Sequence, residues 1–348
     1  MKFGLLYRVQ DPPNAEGIVP RWQEALEVAK VAEESGFDGL FLPEHHMMPD
    51  AYLPSPWPVL GALAALTERL DIGTTVHLLP LEHPIHVAEH GAMVDVLSNG
   101  RLRLGVGMAN FPQEFELFGL NPKKQKSRFE EAIEIVQRAW AGETIEFESQ
   151  HFNIKAAGPI TPQPVGAQLW IGAMSEPGVQ RAARYGCAWA TDPLHNVEVM
   201  KYWNDLYLQA ADEHGTRDKA STVLLRDGWV ADSLEEVERV WWPCIRNEHW
   251  FYFQQVPRWV ADREPFLKGI EKEEDFVFDR HRHDRLIVGS PEDCIESIRK
   301  FEEAIGMDYL IMSFRVAEGP SFEEELECIR RFGRDVIPAF KKVEAAAG

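Results

Sequence analysis

The chain has 348 residues, of which 45% are hydrophobic and 26% charged, a composition typical of a globular protein with a large core. Its formal net charge of −20 argues against nucleic acid or an acidic membrane as a partner, because both require a basic surface. The four cysteines form no CxxC pair, and the N-terminal stretch MKFGLLYRVQD lacks the apolar run of a signal peptide. We therefore predict a cytoplasmic protein with reduced thiols and no membrane segment.

The first half of the chain alternates predicted strands and helices, the pattern of parallel βα units. The strands are Lys2–Tyr7, Phe37–Leu42, Ile72–Leu79 and Leu102–Val106, and the helices are Arg21–Ser35, Pro58–Arg69, Ile85–Leu97 and Arg128–Ala141. Between residues 143 and 165 the alternation stops, and the stretch IEFESQHFNI predicts a β-hairpin inserted before the connector PITPQP.

The second half continues the alternation. Its strands are Leu169–Ala173, Ala188–Thr191, Val223–Val230 and Tyr309–Phe314, and its helices are Gly178–Tyr185, Val197–His214, Leu234–Val240, Pro291–Ile305 and Phe322–Phe340. Residues 241–288 show no clear period, so we predict an irregular, lid-like insertion after strand seven. In GSPEDC, Ser290 and Asp293 predict a plain capping box with no convincing strand before it. Eight strand–helix units predict an α/β fold, a single (β/α)8 TIM barrel over residues 1–348, with an open, doubly wound sheet as the alternative.

The stretch GLFLPEHH ends the second strand on Glu44, His45 and His46. The active site of a parallel barrel lies at the carboxyl ends of its strands, so these side chains should reach it. One interpretation is acid–base chemistry by a histidine whose tautomer or charge the glutamate sets; another is a zinc or iron site. Adjacent residues of an extended segment point in opposite directions, which weighs against both histidines binding one ion. We favour a single catalytic histidine, with ordinary loop polarity as the remaining alternative.

Other histidines also suggest metal sites. His83, His86 and His90 lie around the start of the helix after strand three, where we interpret them as helix-surface residues. His281 and His283 have the spacing of a metal pair in barrel hydrolases, but such pairs follow the first strand, which here ends in LLYRVQ. We therefore predict no metal site.

Two further strand ends carry glycine or serine at informative positions. In LRLGVGMA, Gly105 and Gly107 would let a flat ligand or a neighbouring backbone approach strand four. In AMSEPGVQRAARYG, Ser175 occupies an N-cap position and Gly178 removes bulk beside the helix start. The free amides and dipole of that helix favour an anion, and the alternative is that Ser175 only caps its own helix.

Seven stretches, in order along the chain, carry a family resemblance. They are MKFGLLY, EESGFDGLFLPEHH, LDIGTTVHLLPLEHPIHVAEH, LSNGRLRLGVGMANFPQEFELFG, GPITPQP, LWIGAMSEPGVQRAARYG and VGSPEDCIESI. Over essentially its whole length the chain resembles the bacterial luciferase-like flavin monooxygenases. The resemblance implies a (β/α)8 barrel with a lid after strand seven, and it implies reduced FMN and dioxygen as co-substrates.

The resemblance also implies individual site residues. The first histidine of the family's Glu-His-His lies beside the flavin ring, which makes His45, with Glu44, the catalytic choice. The family's flavin ring rests on a non-prolyl cis peptide, which corresponds to Thr75–Val76, and its phosphate binds at the helix after strand five. The cofactor-binding residues expected here are Thr75, Val76, Gly107, Met108, Met174, Ser175 and Gly178.

The chain departs from its family in two respects, both just after strand four. Met108, Ala109 and Asn110 replace an Arg-Gly-Tyr whose arginine commonly helps hold the flavin phosphate, which bears on how tightly oxidised flavin is held. Gly107 stands where luciferase has a reactive cysteine, which argues against light emission. Deazaflavin-dependent relatives typically carry an aspartate in place of Glu-His, so the sequence at His45 favours reduced FMN.

These inferences predict an FMN-dependent, two-component monooxygenase acting on a small, mostly apolar organic substrate. Because no nicotinamide fingerprint is visible, we expect a separate flavin reductase as partner. A deazaflavin-dependent dehydrogenase and a non-catalytic flavin-binding barrel subunit are the alternatives. We also expect a homodimer through the second and third helices, whose small residues would allow close approach. They are Gly61, Ala62, Ala64, Ala65, Ala88, Gly91 and Ala92.

Overall fold

The computed structural model describes residues 1–11, 17–109, 111–156, 158–255 and 263–341. Its strands are β1 (Lys2–Leu6), β2 (Gly39–Leu42), β3 (Asp71–His77), β4 (Leu102–Val106), β5 (Glu146–Glu148), β6 (Asn153–Lys155), β7 (Gln168–Gly172), β8 (Ala188–Ala190), β9 (Thr222–Val230), β10 (Ile287–Gly289) and β11 (Tyr309–Ser313). Eight of them pair in parallel in the order β9-β11-β1-β2-β3-β4-β7-β8, and β8 pairs back onto β9. The sheet therefore closes into the predicted barrel.

Helices surround the barrel between these strands. They are α1 (Ile18–Glu34), α2 (Trp57–Leu66), α3 (Pro84–Leu97), α4 (Pro112–Leu117), α5 (Gln125–Trp140), α6 (Glu176–Arg184), α7 (Val197–His214), α8 (Leu234–Val240), α9 (Trp242–Gln255), α10 (Phe278–Arg282), α11 (Pro291–Ile305) and α12 (Phe322–Arg331). None of the helices in the described ranges is both long and apolar enough to cross a membrane.

Most predicted elements are confirmed, and the bounds of β4, α7, α8 and α11 match the sequence prediction. The hairpin forms as β5 and β6, which pair antiparallel. The prediction of an irregular stretch at 241–288 is wrong in three places: α9 and α10 are helices, and β10 pairs with the end of β9. Aromatic residues on several faces of α9 hide the helical period there, and β10 has only three residues. The last helix was predicted too long, since α12 ends at Arg331 and shorter helical turns follow.

Aromatic rings fill the barrel interior below the strand ends. Phe41 and Trp170 stack with their ring centroids 5.3 Å apart, and Tyr309 packs edge-on against Phe41 at 5.5 Å. A Cβ at Gly39 would overlap the Tyr309 hydroxyl, so the glycine is needed for this ring to enter the interior. The packed interior leaves the carboxyl ends of the strands as the place for a ligand.

Candidate active site

A cavity of about 340 Å³ opens at the carboxyl ends of the barrel strands. Its floor contains Leu6 and Leu225, which belong to the packed barrel interior. All nine site residues expected from the sequence line it: Glu44, His45, Thr75, Val76, Gly107, Met108, Met174, Ser175 and Gly178. The structure thus brings residues from the carboxyl-terminal parts of four different strands, or just after them, to one site.

Glu44 is held in a buried ion pair. Its Oε2 accepts hydrogen bonds from His77 Nδ1 at 2.5 Å and from the Leu78 amide at 2.8 Å, and its Oε1 lies 3.1 Å from His46 Nε2. Burial raises the pKa of a carboxyl, but His77 and these hydrogen bonds lower that of Glu44 to about 2. Burial also lowers the pKa of an imidazole, but Glu44 outweighs it and raises that of His77 to about 9. Glu44 therefore contacts His46 and His77, and does not set the tautomer of His45 as the sequence suggested.

A different carboxylate orients His45. His45 Nδ1 lies 3.1 Å from Glu114 Oε1, and the imidazole packs edge-on against Tyr52 and beside Phe111. Because a carboxylate only accepts hydrogen bonds, Nδ1 carries the proton in this contact and Nε2 is the nitrogen left for a ligand. No hydrogen bond to Nε2 is seen within the described ranges. The geometry suits proton exchange at Nε2 on the cavity side.

The two adjacent histidines have different surroundings, as the extended backbone predicts. The His46 ring packs edge-on against Phe118 and its Nε2 contacts Glu44, while its backbone amide donates to Glu114 Oε1 at 3.0 Å. Only His45 of the pair lines the cavity. The Glu114 carboxylate therefore fixes both the His45 ring and the His46 backbone amide.

Glu114 was missed by the sequence analysis because α4 was not predicted. This helix has six residues and interrupts the connection between β4 and α5. The stretch FPQEFELFG nevertheless contains a signal, since Pro112 occupies the first helical turn and Glu114 is an acidic residue in that turn.

Val76 packs into space left by two glycines. The peptide bond between Thr75 and Val76 is cis, as the resemblance implies. A Cβ at Gly107 or at Gly172 would lie 2.5 Å from a methyl group of Val76, so neither position accepts a side chain while Val76 stays in place. Thr75 Oγ1 is buried and has no hydrogen-bond partner in the described part of the chain. Asn110, which was compared with the family above, lies outside the described residues.

The start of α6 forms another side of the cavity. Ser175 stands at the N-cap, but its hydroxyl makes no capping hydrogen bond to the helix. Gly178 lies close to this hydroxyl, because a Cβ there would be 3.1 Å from Ser175 Oγ. Arg181 also lines the cavity and is held by Glu130, whose Oε1 accepts from Nε at 2.8 Å. This side provides a guanidinium, although Met108 replaces the family's arginine.

Ser290 behaves differently from Ser175. Its hydroxyl accepts a hydrogen bond from the Asp293 amide at 3.2 Å, and the Asp293 carboxylate accepts from the Ser290 amide, which confirms the predicted capping box. The expectation that no strand precedes this motif is wrong, since β10 ends at Gly289. The Ser290 hydroxyl therefore caps its helix, whereas the Ser175 hydroxyl does not. The interpretation of Ser175 as a plain cap is not supported.

The side of the cavity formed by β1 and β9 carries charged residues that were not predicted from the sequence. Arg8 donates to Ser313 Oγ at 2.8 Å and to Asp227 Oδ1 at 3.2 Å, while Asp227 Oδ2 lies 3.0 Å from His249 Nε2. Burial raises the pKa of Asp227, but Arg8 and His249 lower it to about 2. The sequence does contain a signal for these residues, because LLRDGWV places two charged side chains inside an otherwise apolar strand.

Four histidines that were considered as metal ligands differ in their burial. His83, His86 and His90 are exposed, as predicted for helix-surface residues. His281 is buried instead, and its Nε2 lies 2.6 Å from His249 Nδ1. Within the described ranges, no group of three or more His, Cys, Asp or Glu side chains could hold a metal ion.

The sequence and the fold of this chain are similar to those of known proteins. The family model for luciferase-like monooxygenases matches residues 1–308. The oxygenase component of the flavin-dependent trigonelline monooxygenase from Acinetobacter baylyi is 24% identical, over 98% of this chain and 96% of that protein. The monooxygenase RslO1 from Streptomyces bottropensis superposes with a TM-score of 0.79 at 25% identity, over 98% of this chain and 100% of that one.

A flavin complex has the same fold. The oxygenating constituent of 3,6-diketocamphane monooxygenase from Pseudomonas putida, in complex with FMN, superposes with a TM-score of 0.78 at 19% identity. The superposition covers 97% of this chain and 98% of that chain. On the match of the family model over most of its length, the chain belongs to the luciferase-like monooxygenase family.

Proposed function

We propose that the protein is the cytoplasmic oxygenase component of a two-component monooxygenase, which uses reduced FMN and dioxygen to oxygenate a small, mostly apolar organic substrate. A separate reductase would supply the reduced flavin. Membership of the family makes the chain an oxidoreductase, and relatives that depend on flavin support a flavin cofactor. The observation that carries the proposal is the convergence of all nine expected residues on one cavity.

The cavity offers partners for each part of FMN. Thr75 Oγ1 is a buried polar atom without a partner in the described chain, and Val76 offers an apolar surface to a flat ring. At the other side, the uncommitted Ser175 hydroxyl, the start of α6 and the Arg181 guanidinium suit a phosphate. When bound, the reduced flavin would supply the electrons that activate dioxygen.

His45 would act as the general acid or base in this reaction. His45 lines the cavity while Glu114 holds Nδ1, which leaves Nε2 to donate or accept a proton without turning of the ring. Glu44 would act as a positioning residue, since it holds both the His46 ring and the Leu78 amide just after β3.

The insertion after β9 would exclude water. Glu248, His249 and Tyr252 of α9 line the cavity, so this helix closes one side of it. Reactive oxygen chemistry at a flavin requires a dry site, and we propose that the stretch 241–288 serves as the lid. Residues 256–262 of this stretch lie outside the described part of the chain, and the proposal rests on α9.

We also propose a homodimer through α2 and α3. The small residues expected to form it are only partly available, because Ala64, Ala88, Gly91 and Ala92 are buried in their own subunit. Gly91, for example, packs against the Trp140 ring. The exposed apolar surface consists of Ala62, Ala65, Met93, Val96 and Leu97. These residues now carry the proposal.

The test is to mix the protein, loaded with chemically reduced FMN, with air-saturated buffer and to follow the absorbance spectrum. We expect a long-lived spectrum that differs from those of both reduced and oxidised FMN. An immediate return of oxidised FMN at the rate of the free cofactor would contradict the proposal and favour a non-catalytic flavin-binding subunit. A parallel titration compares FMN with a deazaflavin coenzyme, because the fold alone does not distinguish the two, and tighter binding of the deazaflavin would favour the dehydrogenase.

A further inference from the structure

Three carboxylates line one side of the cavity, and we call them the acidic wall: Asp192, Asp227 and Glu248. Asp192 follows β8, Asp227 lies in the adjacent β9, and Glu248 lies in α9. The wall contains residues from the barrel and from the insertion, on the side of the cavity away from β2 to β4. None of its members belongs to the site residues expected from the sequence.

Two guanidiniums lie next to the wall. Arg226 is fully buried and donates to the Asp192 carbonyl at 2.7 Å, and Arg8, which lines the cavity, is already bound by carboxylates. Arg8 donates to Asp227 Oδ1 at 3.2 Å and to Ser313 Oγ at 2.8 Å, and it also lies 3.7 Å from Glu248 Oε1. Its pKa is raised: burial opposes this, but the two carboxylates outweigh it, so the guanidinium stays charged. Because Asp227 and Glu248 both neutralise the Arg8 guanidinium, this residue is poorly suited to bind an anionic ligand.

Asp192 provides an independent sign of a ligand. Its side chain is buried, and Oδ1 accepts from the Leu194 amide at 2.7 Å and from His195 Nδ1 at 2.8 Å. Its other oxygen, Oδ2, has no hydrogen-bond partner in the described part of the chain. A buried carboxylate oxygen without a partner is costly, so a donor from a ligand would relieve it.

The wall is suited to binding and not to proton transfer. Burial raises the pKa of both aspartates, but neighbouring cations and hydrogen-bond donors lower it to about 2 in each. Carboxylates with so low a pKa are poor bases near neutral pH and act instead as fixed negative charges.

We propose that the substrate carries a cationic nitrogen group, an alkyl or aryl ammonium, which binds at the acidic wall while its apolar body lies in the rest of the cavity. The inference rests on the proposed monooxygenase function and adds the substrate class to it. A donor group on the nitrogen would hydrogen-bond with the unpaired oxygen of Asp192, and its positive charge would offset the excess of the three carboxylates over the two guanidiniums.

Three probes that share one ring test this charge preference. Benzylamine, which is protonated at neutral pH, benzyl alcohol and benzoate are titrated against the full-length protein, with and without FMN, by ligand-observed NMR. We expect benzylamine to bind about tenfold more tightly than benzyl alcohol, and benzoate to bind more weakly than either. Equal or tighter binding of benzyl alcohol or benzoate, or no binding of benzylamine, would overturn the proposal.

Charge variants locate the preference. Glu248→Gln and, separately, Asp192→Asn should reduce the advantage of benzylamine over benzyl alcohol by at least about threefold, with little change for the alcohol. Glu238→Gln, on the exposed face of α8, changes the net charge of the protein by the same amount and should leave the advantage intact. If the advantage survives in both cavity variants, or falls equally in the control, the wall is not the binding site.

FMN binding is measured on the same samples and separates the two hypotheses. A protein that binds FMN and shows no preference for benzylamine retains the proposed function and loses this inference. A protein that prefers benzylamine and fails to delay the oxidation of reduced FMN retains the cation site and loses the proposed function.

Discussion

His45 depends on a residue that is far away in sequence. Glu114 holds its Nδ1 and also the amide of His46, so one buried carboxylate fixes the ring and the backbone beside it. Replacing Glu114 with glutamine should weaken the control of the His45 tautomer without opening a cavity, since glutamine has nearly the same shape as glutamate.

We expect His45→Ala to lower turnover about 100-fold or more, the usual range for a lost acid–base group, with folding and FMN affinity nearly unchanged. Glu114→Gln should lower turnover about tenfold, because an uncharged amide oxygen accepts a weaker hydrogen bond from Nδ1 and fixes the tautomer less firmly. Steady-state kinetics with an accepted substrate provide the measurement. Glu116→Gln on the exposed side of the same helix is the control. A loss of less than about threefold in His45→Ala would remove the catalytic assignment.

The ion pair of Glu44 with His77 makes stability depend on pH. The pKa of His77 is raised in the folded protein from 6.5 to about 9, so its contribution is complete below pH 6.5 and is lost as the pH rises through 9. The pKa of Glu44 is lowered from 4.5 to about 2, so its contribution is complete above pH 4.5 and is lost as the pH falls through 2. The pair therefore stabilises the fold most between pH 4.5 and 6.5.

His77→Gln should remove the alkaline part of this dependence. We expect the Tm of the wild-type protein to fall from pH 6.5 to pH 9 more steeply than that of the variant, as measured by thermal denaturation. His214→Gln, which changes an exposed histidine at the end of α7, should follow the wild-type curve. Parallel curves for wild type and His77→Gln would show that the pair is not coupled to folding.

At the scale of elements, the start of α6 is where the cavity meets a helix dipole. The Ser175 hydroxyl is not used as a cap, so changes there should act on a bound anion more than on the helix. Ser175→Glu places a negative charge at this point. FMN affinity should fall about tenfold or more while riboflavin affinity changes little, because only FMN carries the phosphate. Fluorescence titration of both ligands gives the comparison, and equal losses would mean that the helix itself was damaged.

Elements with a clear period were predictable from the sequence, and the others were not. The helix α11 has a regular apolar stripe and a capping box, and its bounds were predicted without error. In contrast, α4 is too short to show a period, and α9 carries aromatic rings without a simple stripe. The candidate site followed the same rule: residues after strand ends were found, but partners contributed by α4 and α9, such as Glu114 and His249, were not.

At the scale of the whole molecule, the exposed apolar surface of α2 and α3 predicts association. We expect sedimentation at micromolar concentration to give twice the mass of one chain, which is 39.7 kDa. Ala65→Glu should split the dimer, because it places a charge on this surface. Gln209→Glu, at an exposed position of α7, should leave the mass unchanged. A single-chain mass for the wild-type protein would rule out the dimer.

The Val76 side chain ties three strands together in a way that constrains change. Gly107 on the β4 side and Gly172 in β7 both leave room for its methyl groups, so a larger residue at either position must displace them. A cysteine at position 107 is thus compatible with this barrel only when the Val76 methyl groups move or a smaller residue replaces Val76. Substitutions at the three positions should therefore be accepted as a set, and an engineer who wishes to place a thiol at position 107 must start by shortening Val76.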